Sequence, residues 1–400
     1  MSLILKVGIL TTASLLPLVG MVNGFGYEAS KVIFFIFTVT LLGFLWIFTD
    51  KDKLKIEWSI VNKAALIFLL ILFITTLTGL DLKSSFLGNQ PYFQGFVLYI
   101  YFYLFYLLIK SQAIELKYWA YILVFSGVFV SLFAIKDYIL LSFDTFIPTY
   151  AGRVVSTFGQ PNFYSGFILL SLPFLYFLVK EKYLAWILGL EVGMINLFAI
   201  WISGSRAAVV LVVVLFVFWV LKSMRFNKVV LVEVLIITLV LSGGLIKKEI
   251  INPLSTIDPD LTTVGAEKRI YIFYLAGTVI LQNPVLGYGL ENIDYSFKNF
   301  FSVNKHKLFE ENLKVYPVWI SLKDLAIDRT HNYPLDILLF AGFPGLLAWI
   351  FLVFLLLKKS KNGTLLVALS LYLIWIQFQN QSIAQLVYFW TLAGLIDTQE

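Results

Sequence analysis

The chain has 400 residues, of which 60% are apolar, 17% aromatic and only 14% charged, with a formal net charge of +6 and no cysteine. Such a composition lies far outside that of water-soluble domains and predicts a polytopic membrane protein. The lack of cysteine excludes disulfides, thiolate catalysis and Cys-ligated metals; the positive charge reads as a mark of cytoplasmic loops, not as a nucleic-acid surface.

The first apolar run, MSLILKVGILTTASLLPLVGMV, carries one lysine and no small-x-small cleavage pattern, which predicts a retained first span in place of a signal peptide. Further apolar segments follow at 29–49, 64–80, 93–109, 118–141, 163–179, 183–202, 207–221, 229–246, 332–357, 364–378 and 383–397. Each is expected to be helical, because backbone polar groups in hydrocarbon must be satisfied within the segment. The expected fold class is an all-α integral membrane protein of about twelve transmembrane helices forming a single integral domain. In that reading residues 1–246 hold the first nine helices, 247–331 form one long extracytoplasmic loop, and 332–400 hold the last three. Within the loop, EKRIYIFYLAGTVILQN is apolar over too short a stretch to span and suits a short amphipathic helix, interfacial or re-entrant.

Charge tests the register. With a cytoplasmic N-terminus, the short inner loops DKDKLKIEWSIVNK, KSQAIELK, KEK, KSMRFNK and KKSKNG are rich in Lys and Arg, while the short outer connections hold Lys31, Lys83, Arg153 and Arg206. This is the bias expected for inner loops.

In that register Arg225 lies inside with the lysines, whereas Arg153, Arg206, Arg269 and Arg329 all fall on or near the outer face. An arginine presents a planar fork that grips phosphate bidentately and stays charged, so the four together predict an anionic, phosphorylated ligand outside. The alternative is that each pairs with an acidic loop residue or a lipid headgroup. Their surroundings are distinctive. Arg153 precedes TFGQPN, where Gly159 and Pro161 are expected to make a tight turn into the next helix. Arg206 follows a Ser-Gly-Ser break in WISGSRAAVV, with almost no loop to hide it. Arg269 opens the short segment that NPVLGYG closes, and Arg329 lies in DRTHN, ahead of a helix with a Gly-Phe-Pro-Gly break.

In this order along one chain the motifs resemble the O-antigen ligase and polymerase superfamily of bacterial envelope enzymes. The resemblance runs from about residue 150 to the end: TFGQPN, SGSRAA, RIYIF with NPVLGYGLENIDYSF, DRTHNYPLDILLFAGFPGLL, and the polar interruption QFQNQSIAQLVYFW before the last span. It implies a GT-C-like helical glycosyltransferase bundle in the bacterial cytoplasmic (inner) membrane. Such an enzyme would transfer a glycan from a polyprenyl-diphosphate-linked oligosaccharide donor to a glycan, lipid or protein acceptor on the outer side. It further implies that Arg206, Arg269 and His331 are essential. Arg153, Arg329, Gln160, Asn162, Glu291 and Asp328 are the expected donor-binding or orienting residues.

The chemistry can also be argued from the residue types. Displacing a lipid diphosphate from an anomeric carbon requires neutralisation of the departing charge, which arginines supply, and an acceptor hydroxyl eased of its proton, which a histidine supplies near neutral pH. Arg206 and Arg269 are expected on the diphosphate, with His331 on the acceptor or the phosphate, and a single displacement would invert the centre. No metal or other cofactor is expected, since the carboxylates Asp258, Asp260, Glu267, Glu291, Asp294, Glu310, Glu311, Asp324 and Asp328 are scattered. His306, in a charged run, reads as solvated, and Asp336 as either a functional or a structural group at the helix start. Two rival readings are a twelve-span transporter or flippase of lipid-linked glycans and a non-catalytic envelope-assembly scaffold. Against the first, the long loop follows the ninth predicted span, not the sixth, and Lys136 is the exception among spans otherwise poor in deep charges.

Overall fold

A computed structural model describes residues 2–22, 24–49, 58–143, 146–223, 266–300, 302 and 327–399. Among the described residues, helices form wherever the apolar runs lie. They are α1 (Ser2–Leu15), α2 (Tyr27–Thr49), α3 (Ile60–Leu77), the short α4 (Leu82–Leu87), α5 (Phe96–Gln112), α6 (Leu116–Ser142), α7 (Pro161–Lys180), α8 (Trp186–Ile202), α9 (Arg206–Ser223), α10 (Ala266–Ile280), α11 (Tyr333–Lys359), α12 (Gly363–Trp375) and α13 (Ile383–Asp397). Every predicted span coincides with one of these except 229–246, which lies outside the described residues. By length and composition, α2, α3, α6, α7 and α11 suffice to cross a membrane, whereas α1, α5, α8, α9, α12 and α13 are shorter apolar helices. Among the described residues, the five helices that are long and apolar enough to cross are fewer than the twelve spans expected from the sequence.

Helix starts are set by local chemistry. Ser59 accepts from the Asn62 N–H at 3.0 Å, Asn332 from Leu335 at 3.0 Å and Asn362 from Thr364 at 2.9 Å, each satisfying a donor the first turn leaves unpaired. Pro161 and Pro334 occupy first-turn positions of α7 and α11, where a missing N–H costs nothing. One feature was not expected from hydropathy: a two-strand hairpin pairs β1 (Thr149–Tyr150) with β2 (Arg153–Val154). Its turn residues Ala151 and Gly152 both have positive φ, 48° and 72°, as a tight two-residue hairpin turn demands.

The helices alternate in direction, so that the bundle has two chemically distinct ends. At one, Asp397 at the end of α13 accepts from Lys110 at 2.6 Å, Lys359 at 2.9 Å, Ser59 at 2.6 Å and Tyr106 at 2.7 Å, which ties α3, α5, α11 and α13 together. The other end carries the starts of α2, α5, α7, α9, α11 and α13 and the motifs singled out above. Helix α13 is buried along its whole length, packed on α5 and α12. Large apolar side chains on the peripheral helices, Phe37, Phe48, Trp186 and Leu347 among them, face outward as lipid-facing groups should.

Helix α11 is broken at Gly342, whose φ is 59°. The carbonyls freed by the break are taken up by the NPVLGYG loop: Tyr288 N–H donates to Leu339 at 2.7 Å, Gly289 to Phe340 at 2.9 Å, and Phe343 N–H returns to Pro284 at 2.8 Å. The other side of the loop meets the α3–α4 connection, where Leu80 N–H donates to the Tyr288 carbonyl at 3.1 Å and Asn292 Nδ2 to Ser85 at 2.7 Å. A loop inside the bundle is tolerable only with its backbone groups paired in this way.

Candidate active site

The loop that fills the α11 break ends on Glu291, held at a φ of 61°. Its buried carboxylate forms an ion pair with Arg329, which is 4% exposed. The same guanidinium donates to Gln94 Oε1 at 3.3 Å and to the Asp328 carbonyl at 2.8 Å, and lies over the Tyr92 ring at 4.5 Å. Burial works against the charge of Arg329, but Glu291 and then Asp336 outweigh it and hold the guanidinium above its usual value. Burial pushes Glu291 up and Arg329 offsets part of that rise; Asp328 is raised by burial in the same way.

Two residues on, His331 sits half-buried in the left-handed region at φ 61°. The turn around it is pinned on both sides. Asp336 Oδ1 accepts from the Thr330 N–H and hydroxyl, both at 2.8 Å, Asn332 Nδ2 donates to the Gln377 carbonyl at 3.2 Å, and Tyr333 N–H donates to Ile376 at 2.9 Å. Asp336 is thus a structural group, whose carboxylate fixes the DRTHN turn. A non-glycine residue at positive φ stores backbone strain that the surroundings must hold in place. At this end of the bundle Phe93, Ala151, Ser156 and Glu291 share the trait with His331.

A second basic group gathers where α8 meets α9. Ser203, Gly204 (φ 63°) and Ser205 make the break, with Ser205 N–H donating to Ser203 Oγ at 3.0 Å. Arg206 then opens α9 with an exposed side chain. From the β-hairpin, Arg153 reaches across the break and donates to the Ser203 carbonyl at 3.3 Å. Among the described residues neither Arg153 nor Arg206 has a carboxylate partner. A cation at a helix N-terminus is disfavoured by the helix dipole, whereas two cations and the first-turn N–H groups together suit an anion. The hairpin strand leads through a 3-10 turn, Ser156–Phe158, and Gly159 at φ 72° into α7, as the TFGQPN motif predicted; Gln160 immediately precedes α7, without a side-chain capping bond, and Asn162 lies in its first turn.

Of the expected residues, Glu291, Asp328, Arg329 and His331 lie together around one turn, Arg153 reaches the α8–α9 break that precedes Arg206, and Gln160 and Asn162 lie at the start of α7. Arg269 lies in α10, which packs against α11. His306 and most of the predicted long loop, including 247–265 and 303–326, lie outside the described residues. Sequence reasoning passed over Tyr92 and Gln94, which enclose Arg329, and the buried pair Glu28 and Lys31. The available signal was weak: two charges one turn apart at the start of an apolar helix.

A mostly helical bundle with helices long and apolar enough to cross a membrane defines the class. Residues 192–350 match the family model described as O-antigen ligase, which supports the superfamily that the motifs pointed to. Arg206, Arg269, Glu291, Asp328, Arg329 and His331 fall within the matched stretch, and Arg153, Gln160 and Asn162 precede it. A search of curated proteins returned no match.

Proposed function

We propose that the protein is a membrane glycosyltransferase that moves an oligosaccharide from a polyprenyl-diphosphate carrier to an acceptor hydroxyl on the outer face of the bacterial cytoplasmic membrane. The observation that carries this reading is the pair Arg153 and Arg206 at the start of α9, which meet no carboxylate among the described residues, at the same end as His331. In the reaction the acceptor oxygen attacks the anomeric carbon, its proton passes to His331, and the bond to the diphosphate oxygen breaks with its electron pair leaving on the polyprenyl diphosphate. One displacement inverts the anomeric centre. Arg206, Arg153 and Arg269 neutralise the departing diphosphate without a metal, as fixed cations aimed at the charge that develops on it. Arg329 is already neutralised by Glu291, so in this reading it braces the turn that presents His331. Gln160, Asn162 and Asp328 face the donor.

The test is reconstitution with undecaprenyl-diphosphate oligosaccharide and glycan, lipid A core and peptide acceptors. Wild type is expected to release undecaprenyl diphosphate with one of them, and Arg206→Ala, Arg269→Ala and His331→Ala each to slow transfer by roughly 100-fold or more. No release with any acceptor would overturn the enzyme reading, and full activity in the variants would overturn the site.

A further inference from the structure

Helix α2 enters the bundle with Tyr27-Glu28-Ala29-Ser30-Lys31, and both charged residues are inside the protein: Glu28 is 5% exposed and Lys31 0%. A buried charge is costly unless bound on all sides, and the partners of these two lie in different parts of the site. Lys31 Nζ donates to the carbonyls of Val19 and Thr157 and stands over the Phe158 ring at 4.8 Å. Thr157 in turn donates to the Pro17 carbonyl at 2.7 Å, and a side chain on Gly159 would run into the Tyr27 ring. The first turn of α2 thereby holds Thr157, Phe158 and Gly159, which lie between Arg153 and Gln160.

Glu28 points the other way along the site. Its Oε2 accepts the Ile383 N–H, the first of α13, at 2.8 Å. Just ahead of it, the Gln381 carbonyl accepts from Gln94 at 2.7 Å and Asn380 donates to the Tyr92 hydroxyl at 2.9 Å. Gln94 and Tyr92 are the residues that enclose Arg329. Contacts joined by short lengths of backbone thus lead from the strand that carries Arg153, through Thr157, to Arg329, and the middle link is one turn of α2.

From this geometry we infer that Glu28 and Lys31 are positioning residues, which set the spacing between the arginines at α9 and the Arg329–His331 turn. The inference rests on the proposed reaction for its purpose, since a diphosphate and an acceptor must be gripped at fixed separation. A misplacement of about 1 Å costs on the order of 100-fold in such a site. Its structural content is independent of the reaction.

The chain has no cysteine, so spin labels placed at Tyr150→Cys and Tyr295→Cys, both exposed positions, report the spacing directly in purified protein in lipid nanodiscs. Lys31→Met is expected to shift or broaden that distance. It should also raise KM for undecaprenyl-diphosphate oligosaccharide by roughly 10-fold or more, with a smaller change in kcat. Glu28→Leu is expected to do the same, and Glu28→Gln, which keeps an acceptor for Ile383, to restore both. Should Lys31→Met fail to accumulate, the two Glu28 variants carry the test. Variants with a wild-type distance distribution would overturn the inference, as would an altered distance with unchanged KM. An altered distance in a protein whose wild type transfers nothing would uphold the spacing role and count against the glycosyltransferase reading alone.

Discussion

Arg329 and Arg206 are the same side chain in two unlike settings, and the difference assigns their work. Around Arg329 a carboxylate, an amide and an aromatic face fill the guanidinium's needs, so an incoming phosphate would have to displace Glu291. Arg206 is exposed at a helix start. Removing Glu291 should therefore act on the fold before it acts on the substrate. Glu291→Ala leaves a buried guanidinium unpaired and is expected to destabilise by about 3–5 kcal/mol, whereas Arg206→Ala removes an exposed group and should stay within roughly 0.5 kcal/mol. Thermal unfolding in detergent measures both; a melting temperature that falls as far for Arg206→Ala would refute the division. The sequence displayed the arginines and His331 through their motifs. It did not display their pairing, because Glu291 is 38 residues from Arg329 and Gln94 is 235 away. Such contacts follow from packing, which no local pattern encodes.

At the level of elements, hydropathy located the helices but not their neighbours. An apolar run such as 383–397 reads alike whether lipid or protein surrounds it, and the structure makes it the most enclosed helix among those described. The hairpin at 149–154 was hidden for a related reason: four paired residues are too few to show alternation. The break in α11 was better advertised, since Gly-Phe-Pro-Gly marks it in the sequence. Its physical requirement is strict. At Gly342 the left-handed φ is joined by the Pro284 carbonyl oxygen, which would stand 2.5 Å from an added Cβ. Backbone cannot withdraw as a flexible side chain can, so Gly342→Ala should dislodge the 284–291 loop and with it Glu291. At Gly277, in α10, an added Cβ meets nothing within 4 Å, and Ala there should be neutral or stabilising by up to about 1 kcal/mol. The pair of melting temperatures checks this, with a lowered value expected for Gly342→Ala alone. Loss of transfer activity in Gly342→Ala, at a residue 11 positions beyond His331, would follow from the same displacement.

The whole molecule is organised as a bundle with a locked end and a working end. Asp397 and its two lysines fasten one end without strained backbone at the aspartate. Five of the seven described non-glycine residues with positive φ, Phe93, Ala151, Ser156, Glu291 and His331, lie at the other, with two arginines that meet no carboxylate among the described residues, while Ala113 and Lys182 lie at the locked end. Helix alternation determines which residues share an end, and inner-loop charge determines which end faces the cytoplasm. Lys83 lies on α4, at the end with the site, and Lys182 lies in the α7–α8 connection at the opposite end; both are exposed. The native chain offers no thiol of its own, so Lys83→Cys and Lys182→Cys can be compared in intact cells with a membrane-impermeant maleimide. Lys83→Cys should react with cells intact and Lys182→Cys only after the membrane is opened. The reverse pattern would put the arginines on the cytoplasmic side, among nucleotide-linked sugars, and would remove the reason for a donor that carries its own diphosphate. Equal reaction at both sites in intact cells would contradict the alternation itself, since two ends of one membrane-spanning bundle cannot share a compartment.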